Sequence, residues 1–299
     1  MITILDGGMG RELQRSGAPF RQPEWSALAL IEAPDTVAEV HRAYARAGAQ
    51  IITTNSYALV PFHLGQERFT SEGRRLAALA GEMALQAKAD FPGTQIAGSL
   101  PPVCGSYRPD LVDEAAAAPI LAELVAGLSP YADLWLAETL SSLTEARLVA
   151  RQLAGDPRPL WLSFTLADGL GERAEPGNLR SGESIEAAVA VANDLGAAAL
   201  LFNCSQPEVM EQALHRASLA ASHLNAAFEL GVYANAFPPQ AEDAAANDGL
   251  SPLRSDLDPP GYLGWAQNWV DAGARIIGGC CGIGPEHIAV LAERLRCDN

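Results

Sequence analysis

The chain has 299 residues, 48% of them hydrophobic, and a formal net charge of −16 at pH 7. That length suits one large domain over residues 1–299 with a sizeable core, and (β/α) barrels routinely reach it as a single unit. The acidity argues against a nucleic-acid partner, which requires a basic surface to neutralise phosphates, and no apolar run is long enough to cross a bilayer.

In chain order, apolar β-branched runs predict strands at 2–6, 51–55, 95–100, 134–138, 160–166, 198–204, 229–235 and 275–280. Helical spacing falls between them, as in Val37, Val40, His41, Tyr44 and Ala45, then Leu76, Leu79, Ala80 and Met83. Strands apolar on both faces and followed by helices pair in parallel under helical cover, and eight such units make a (β/α)8 TIM barrel. The segments after strands are long and rich in Gly, Pro and Asp (56–70, 101–117, 167–182 and 236–261), while those before strands are short. A barrel builds its site from the loops after its strands, so the site is expected on that face, with 236–261 long enough to act as a lid.

Five cysteines in a chain of this size do not form a disulfide framework, because two are neighbours and the core is large enough without staples. A reducing, cytoplasmic setting follows, and the opening MITILDGG reads as a strand rather than a leader. Cys280 and Cys281 stand where a strand runs out into Gly278, Gly279, Gly282 and Gly284, which are expected to let the backbone turn. Cys204 closes another apolar run in the same way. Three thiolates at neighbouring strand ends suggest a soft-metal site, zinc with one position open. The alternatives are buried structural thiols or a vicinal disulfide. Such a site is a weak Lewis acid for splitting water, but it can bind a further thiol and hold it deprotonated.

The runs LDGGMG at 5–10, AET at 137–139, FNCS at 202–205 and GARIIGGCCG at 273–282 resemble the zinc-dependent homocysteine S-methyltransferase family over essentially the whole chain. The resemblance implies zinc held by Cys204, Cys280 and Cys281. It also implies methyl transfer from a cationic donor to the thiol of homocysteine, giving methionine. It places Asp6, Gly7, Gly8 and Glu138 on homocysteine: Glu138, with Asp6, accepts from the ammonium, and the amides of Gly7, Gly8 and Met9 form a nest for the carboxylate. As purely structural residues, Asp6 would cap a turn and Glu138 a helix.

Asn203 and Asn235 are candidates to orient a thiolate or the substrate, and Tyr57, Tyr107 and Tyr233 to contact a cationic donor. His287 reads as a surface or packing residue in the first turn of a helix. Cys104 has no partner thiol nearby in sequence, and Cys297 lies in the tail. S-methylmethionine and S-adenosylmethionine are the expected donors, with betaine as the alternative. The run GSLPPVCGSYRP after strand three departs from the GPYG-like run of S-methylmethionine enzymes and leaves the donor open. The rival classes are a zinc hydrolase, which would call on histidine and carboxylate ligands, and a non-catalytic zinc-binding barrel with a closed fourth position.

Overall fold

The computed structural model describes residues 1–168, 175, 177–238 and 252–296. Its strands are β1 (Thr3–Ile4), β2 (Ile51–Thr53), β3 (Gln95–Leu100), β4 (Leu134–Leu140), β5 (Leu160–Phe164), β6 (Ala199–Asn203), β7 (Glu229–Tyr233) and β8 (Ile276–Ile277). All pair in parallel in one sheet, β2 through β8 in sequence order and β8 with β1. The two remaining edges meet at a parallel bridge between Leu5 and Ile51. There the Asp6 and Gln50 amides donate to the Ile51 and Ile4 carbonyls at 3.0 and 2.8 Å. The eight-stranded barrel expected from the sequence is thereby closed.

Strands apolar on both faces serve two cores. Leu5, Ile51, Leu134, Leu136, Leu201 and Ile276 fill the barrel, while Ile4, Ile52, Trp135, Leu200 and Ile277 face the helices. Helix α1 (Met9–Arg15) and α2 (Ser26–Glu32) precede α3 (Pro34–Arg46), which buries Val37, Val40, His41, Tyr44 and Ala45, the face read from spacing. The other helices are α4 (Pro61–Leu64), α5 (Gln66–Asp90), α6 (Glu114–Leu128), α7 (Leu143–Gln152), α8 (Ile185–Asp194), α9 (Pro207–Leu224), α10 (Pro259–Asp271) and α11 (Pro285–Leu295). Among the described residues, no helix is long and apolar enough to cross a membrane.

Three expectations about boundaries need correction. Residues 56–70 are not all loop: Pro61 opens α4, and Gly65, at φ 77°, redirects the chain into α5. Residues 101–117 likewise end in α6, whose first amides, Ala115 and Ala116, donate to the Asp113 side chain. Regular pairing in β8 stops short of the predicted 275–280. Even so, the amides of Gly278, Gly279 and Cys280 still bond alternately to Val232, Asp6 and Ala234. Of the proposed lid at 236–261, residues 239–251 lie outside the described residues, as does Cys297.

Candidate active site at the barrel mouth

The three cysteines converge. Cys204 follows β6 with φ 53°, and its amide donates to the Tyr233 carbonyl at 3.3 Å. The Cys280 amide donates to Ala234 at 2.9 Å, so β7 sets the register of both cysteine-bearing strands. Of the four glycines expected to turn the chain here, only Gly282 adopts a left-handed conformation, at φ 85°. Gly8 serves by close approach instead, since a Cβ there would stand 2.5 Å from the Cys280 carbonyl oxygen.

The three Sγ atoms lie within 4.8 Å of one another. Cys280 is 2.9 Å from Cys204 and 4.0 Å from Cys281, and all three are free thiols. Donation from Cys280, then from Cys281 and Tyr107, holds Cys204 well below the usual thiol range, and the Arg180 charge adds to this. Sharing with Cys204 pushes Cys280 and Cys281 up. The set therefore concentrates negative charge on Cys204. A Zn–S bond of about 2.3 Å implies tetrahedral S···S edges of about 3.8 Å. The 280–281 pair sits at that edge and the 204–280 pair is tighter. A metal ion fits this donor set, to which no fourth His, Cys, Asp or Glu is added among the described residues.

Beside the thiols stand two buried acids. Glu138, in β4, accepts from Ser99 Oγ and from Tyr233 Oη, the latter at 3.4 Å. Burial pushes Glu138 up to about 7, despite the Ser99 bond. Asp6 accepts from the Thr53 amide at 2.7 Å and the Thr53 hydroxyl at 3.0 Å. Burial raises it to about 8, and the field of Glu138 adds to the rise, which places the two acids in one electrostatic neighbourhood.

The expected anion nest is altered. The Gly8 amide donates to the Ile283 carbonyl at 2.9 Å and so is taken from it, while Met9 begins α1. Asn203 bridges strands: its Oδ1 accepts from the Thr139 amide (3.0 Å) and Ser163 (2.7 Å), and its Nδ2 donates to Thr139 Oγ1 (2.8 Å). Those bonds secure Thr139, at φ 59°, next to Glu138. Asn235 is buried between Ser205 and Phe237, accepting from the Phe237 amide at 3.2 Å. His287 packs, as read, with its ring against the Gly284 amide and the Leu257 carbonyl. Cys104 is apart from the cluster, its sulfur 3.9 Å from the Asp113 carbonyl.

Tyr107, at φ 63°, donates its hydroxyl to Cys204 Sγ at 3.0 Å. Tyr57 pairs with Ser106 at 2.6 Å and meets the Trp25 ring edge to face, with centroids 6.0 Å apart. Thr53, Ser99, Trp25 and Arg180 were not singled out in the sequence. Thr53 and Ser99 carried a signal, as polar residues in apolar strands. Trp25 and Arg180 carried none, because both lie in irregular segments where periodicity says nothing.

A sequence model of the family described as "Homocysteine S-methyltransferase" matches residues 3–295. Homocysteine S-methyltransferase of Escherichia coli (strain K12) is 32% identical, covering 98% of this chain and 95% of its own length. Homocysteine S-methyltransferase YbgG of Bacillus subtilis (strain 168) is 28% identical, covering 99% and 95%. Among solved structures, the metallated form of the homocysteine methyltransferase MmuM from Escherichia coli superimposes with a TM-score of 0.75 at 30% identity, over 98% of this chain and 96% of that one.

Proposed function

The chain belongs to the homocysteine S-methyltransferase family, a family of methyltransferases, and on that premise we propose that it converts homocysteine to methionine with a sulfonium methyl donor, S-methylmethionine or S-adenosylmethionine. The observation that carries this reading is the meeting of Cys204, Cys280 and Cys281 within 4.8 Å beside the buried Glu138. We assign these three cysteines as zinc ligands in a cytoplasmic enzyme. Zinc, when bound, supplies the charge that keeps a fourth, substrate thiol deprotonated at neutral pH.

Glu138 receives the ammonium of homocysteine. Its carboxyl holds a proton in the empty site below about pH 7 and gives it up when the ammonium arrives. Ser99 and Tyr233 fix the two carboxylate oxygens, and Asp6 stands by as the second acid. We assign the donor cation to the neighbourhood of the aromatic pair Trp25 and Tyr57, which pack edge to face. The methyl group passes in line: its bond to the donor sulfur breaks as a bond to the homocysteine sulfur forms. The breaking pair stays on the donor, which leaves as a neutral thioether. Holding both reactants in one geometry contributes about 7 to 11 kcal/mol to such a step.

A hydrolase is disfavoured by position. All five histidines lie on helices, at 41, 63, 215, 223 and 287, and none joins the thiol cluster. The reading is tested by methionine formation from homocysteine with zinc-loaded protein and, separately, S-methylmethionine, S-adenosylmethionine and betaine. Turnover with a sulfonium donor that is lost in Cys280→Ala supports it. Turnover with betaine alone, or with none, overturns it.

A further inference from the structure

Behind Cys204 lies a second layer of buried charge. The Arg180 guanidinium stacks on the Tyr107 ring, with Cζ 4.4 Å from its centroid. Arg180 Nη2 donates to Asp168 Oδ2 at 3.2 Å, and Nε donates to Thr165 Oγ1 at 3.0 Å. The arginine and aspartate side chains are 8% and 2% exposed. Thr165 in turn contacts the Cys204 carbonyl (3.4 Å) and Ser205 Oγ (3.1 Å). Tyr107 therefore has its ring clamped on one side while its hydroxyl meets the Cys204 sulfur.

Taking an ion pair out of water costs free energy that its own attraction seldom returns in full, so a pair buried this deeply is weak evidence for stability. Its geometry accounts for it better. Tyr107 and Cys204 both hold left-handed backbones, at φ 63° and 53°, and such residues persist only where their surroundings over-determine them. Arg180 touches both ends of the arrangement, the Tyr107 ring directly and the Cys204 backbone through Thr165.

We propose that Arg180, set by Asp168, is a positioning residue that acts through Tyr107 to orient the Cys204 sulfur as a ligand and to draw charge from it by the phenol hydrogen bond. This rests on the zinc–thiolate reading above. The hydrogen bond makes Cys204 a weaker electron donor than its two partners, and the clamp keeps the sulfur aimed at the centre. Partners of this kind alter metal affinity by about 10- to 100-fold when removed.

The test uses cobalt(II) in place of zinc, because thiolate-to-cobalt charge-transfer absorption reports electron density on sulfur. The wild type, Tyr107→Phe, Arg180→Gln and the double variant are compared by that absorption and by competition for the metal against a chelator. Thermal unfolding of the metal-free proteins confirms that each folds. Each single variant is expected to bind cobalt about tenfold more weakly and to shift the charge-transfer band to lower energy. The double variant is expected to lose less than the two single variants summed, since Arg180 acts on the sulfur through the Tyr107 hydroxyl that Tyr107→Phe removes. Wild-type affinity and spectrum in Tyr107→Phe, or additive losses in the double variant, overturn the assignment while leaving the methyltransferase reading intact. A wild type that holds no metal overturns both.

Discussion

Asp6 closes the barrel seam onto Thr53. Its two carboxyl oxygens accept from the Thr53 amide and hydroxyl, at the junction where β1 and β2 share only the Leu5–Ile51 bridge. Burial raises Asp6 to about 8, so the group is neutral at pH 7. Asparagine is then the close mimic, since its carbonyl can accept from the Thr53 amide while its NH2 donates to the hydroxyl. Asp6→Asn is expected to unfold in urea within about 1 kcal/mol of the wild type, and Asp6→Ala to lose about 1–3 kcal/mol by stranding a buried donor. Equal losses in both variants would show that the charged form is the one that matters.

Glu138 sets a pH dependence whose sign can be worked out. Its folded value, about 7, lies above the ordinary 4.5, so the empty protein holds a proton that the unfolded chain releases. Its contribution to stability is present below pH 4.5 and is lost as pH rises towards 7. Homocysteine binding runs the other way, because an ammonium needs the carboxylate, and so tightens as pH rises to about 7. In Glu138→Gln both slopes should shrink, the remaining stability slope being that of Asp6 and Glu145, which burial raises to about 8 and about 7, and KM for homocysteine should rise roughly 10- to 100-fold with the loss of a charged hydrogen bond. An unchanged KM in that variant would place the ammonium elsewhere.

Metal content separates the cysteines. Cys204→Ala is expected to abolish stoichiometric zinc binding, measured by elemental analysis after dialysis. Cys104→Ala should leave it untouched, since the Cys104 sulfur lies by the Asp113 carbonyl and outside the thiol cluster. A chelator that strips the metal should stop turnover, and added zinc should restore it. Zinc retained by Cys204→Ala would contradict the assignment of the three sulfurs.

His41 offers a stability test away from the mouth. It is fully buried on α3, and neither ring nitrogen has a hydrogen-bond partner among the described residues. Burial lowers it from 6.5 to about 3, so it is neutral when folded and charged when unfolded in mild acid. Its cost to stability therefore grows as pH falls from 6.5 towards 3. His41→Leu should stabilise the protein by about 1 kcal/mol at neutral pH and by more at pH 5, read as a rise in thermal midpoint. A fall at both pH values would mean that the ring's shape outweighs its polarity.

What could be read from the chain followed from short-range pattern. The strands announced themselves as apolar on both faces, and the thiols as three cysteines at strand ends, which a barrel gathers at one rim. Asp6 and Glu138 were legible for the same reason. Contacts made by loop residues were not, because nothing local sets their partners. Arg180 in sequence is an ordinary loop cation, and the Tyr107 ring beneath it belongs to another loop. The Gly8 amide was misread because the residue that claims it, Ile283, lies at the far end of the chain.

That same distance bears on how the protein is made. Cys204 follows β6 while its two partners follow β8, which also pairs with β1. A chain still being synthesised cannot present the full set of sulfurs until the segment bearing Cys280, 76 residues beyond Cys204, has emerged from the ribosome. A product truncated before residue 280 would be left without two of its three sulfurs.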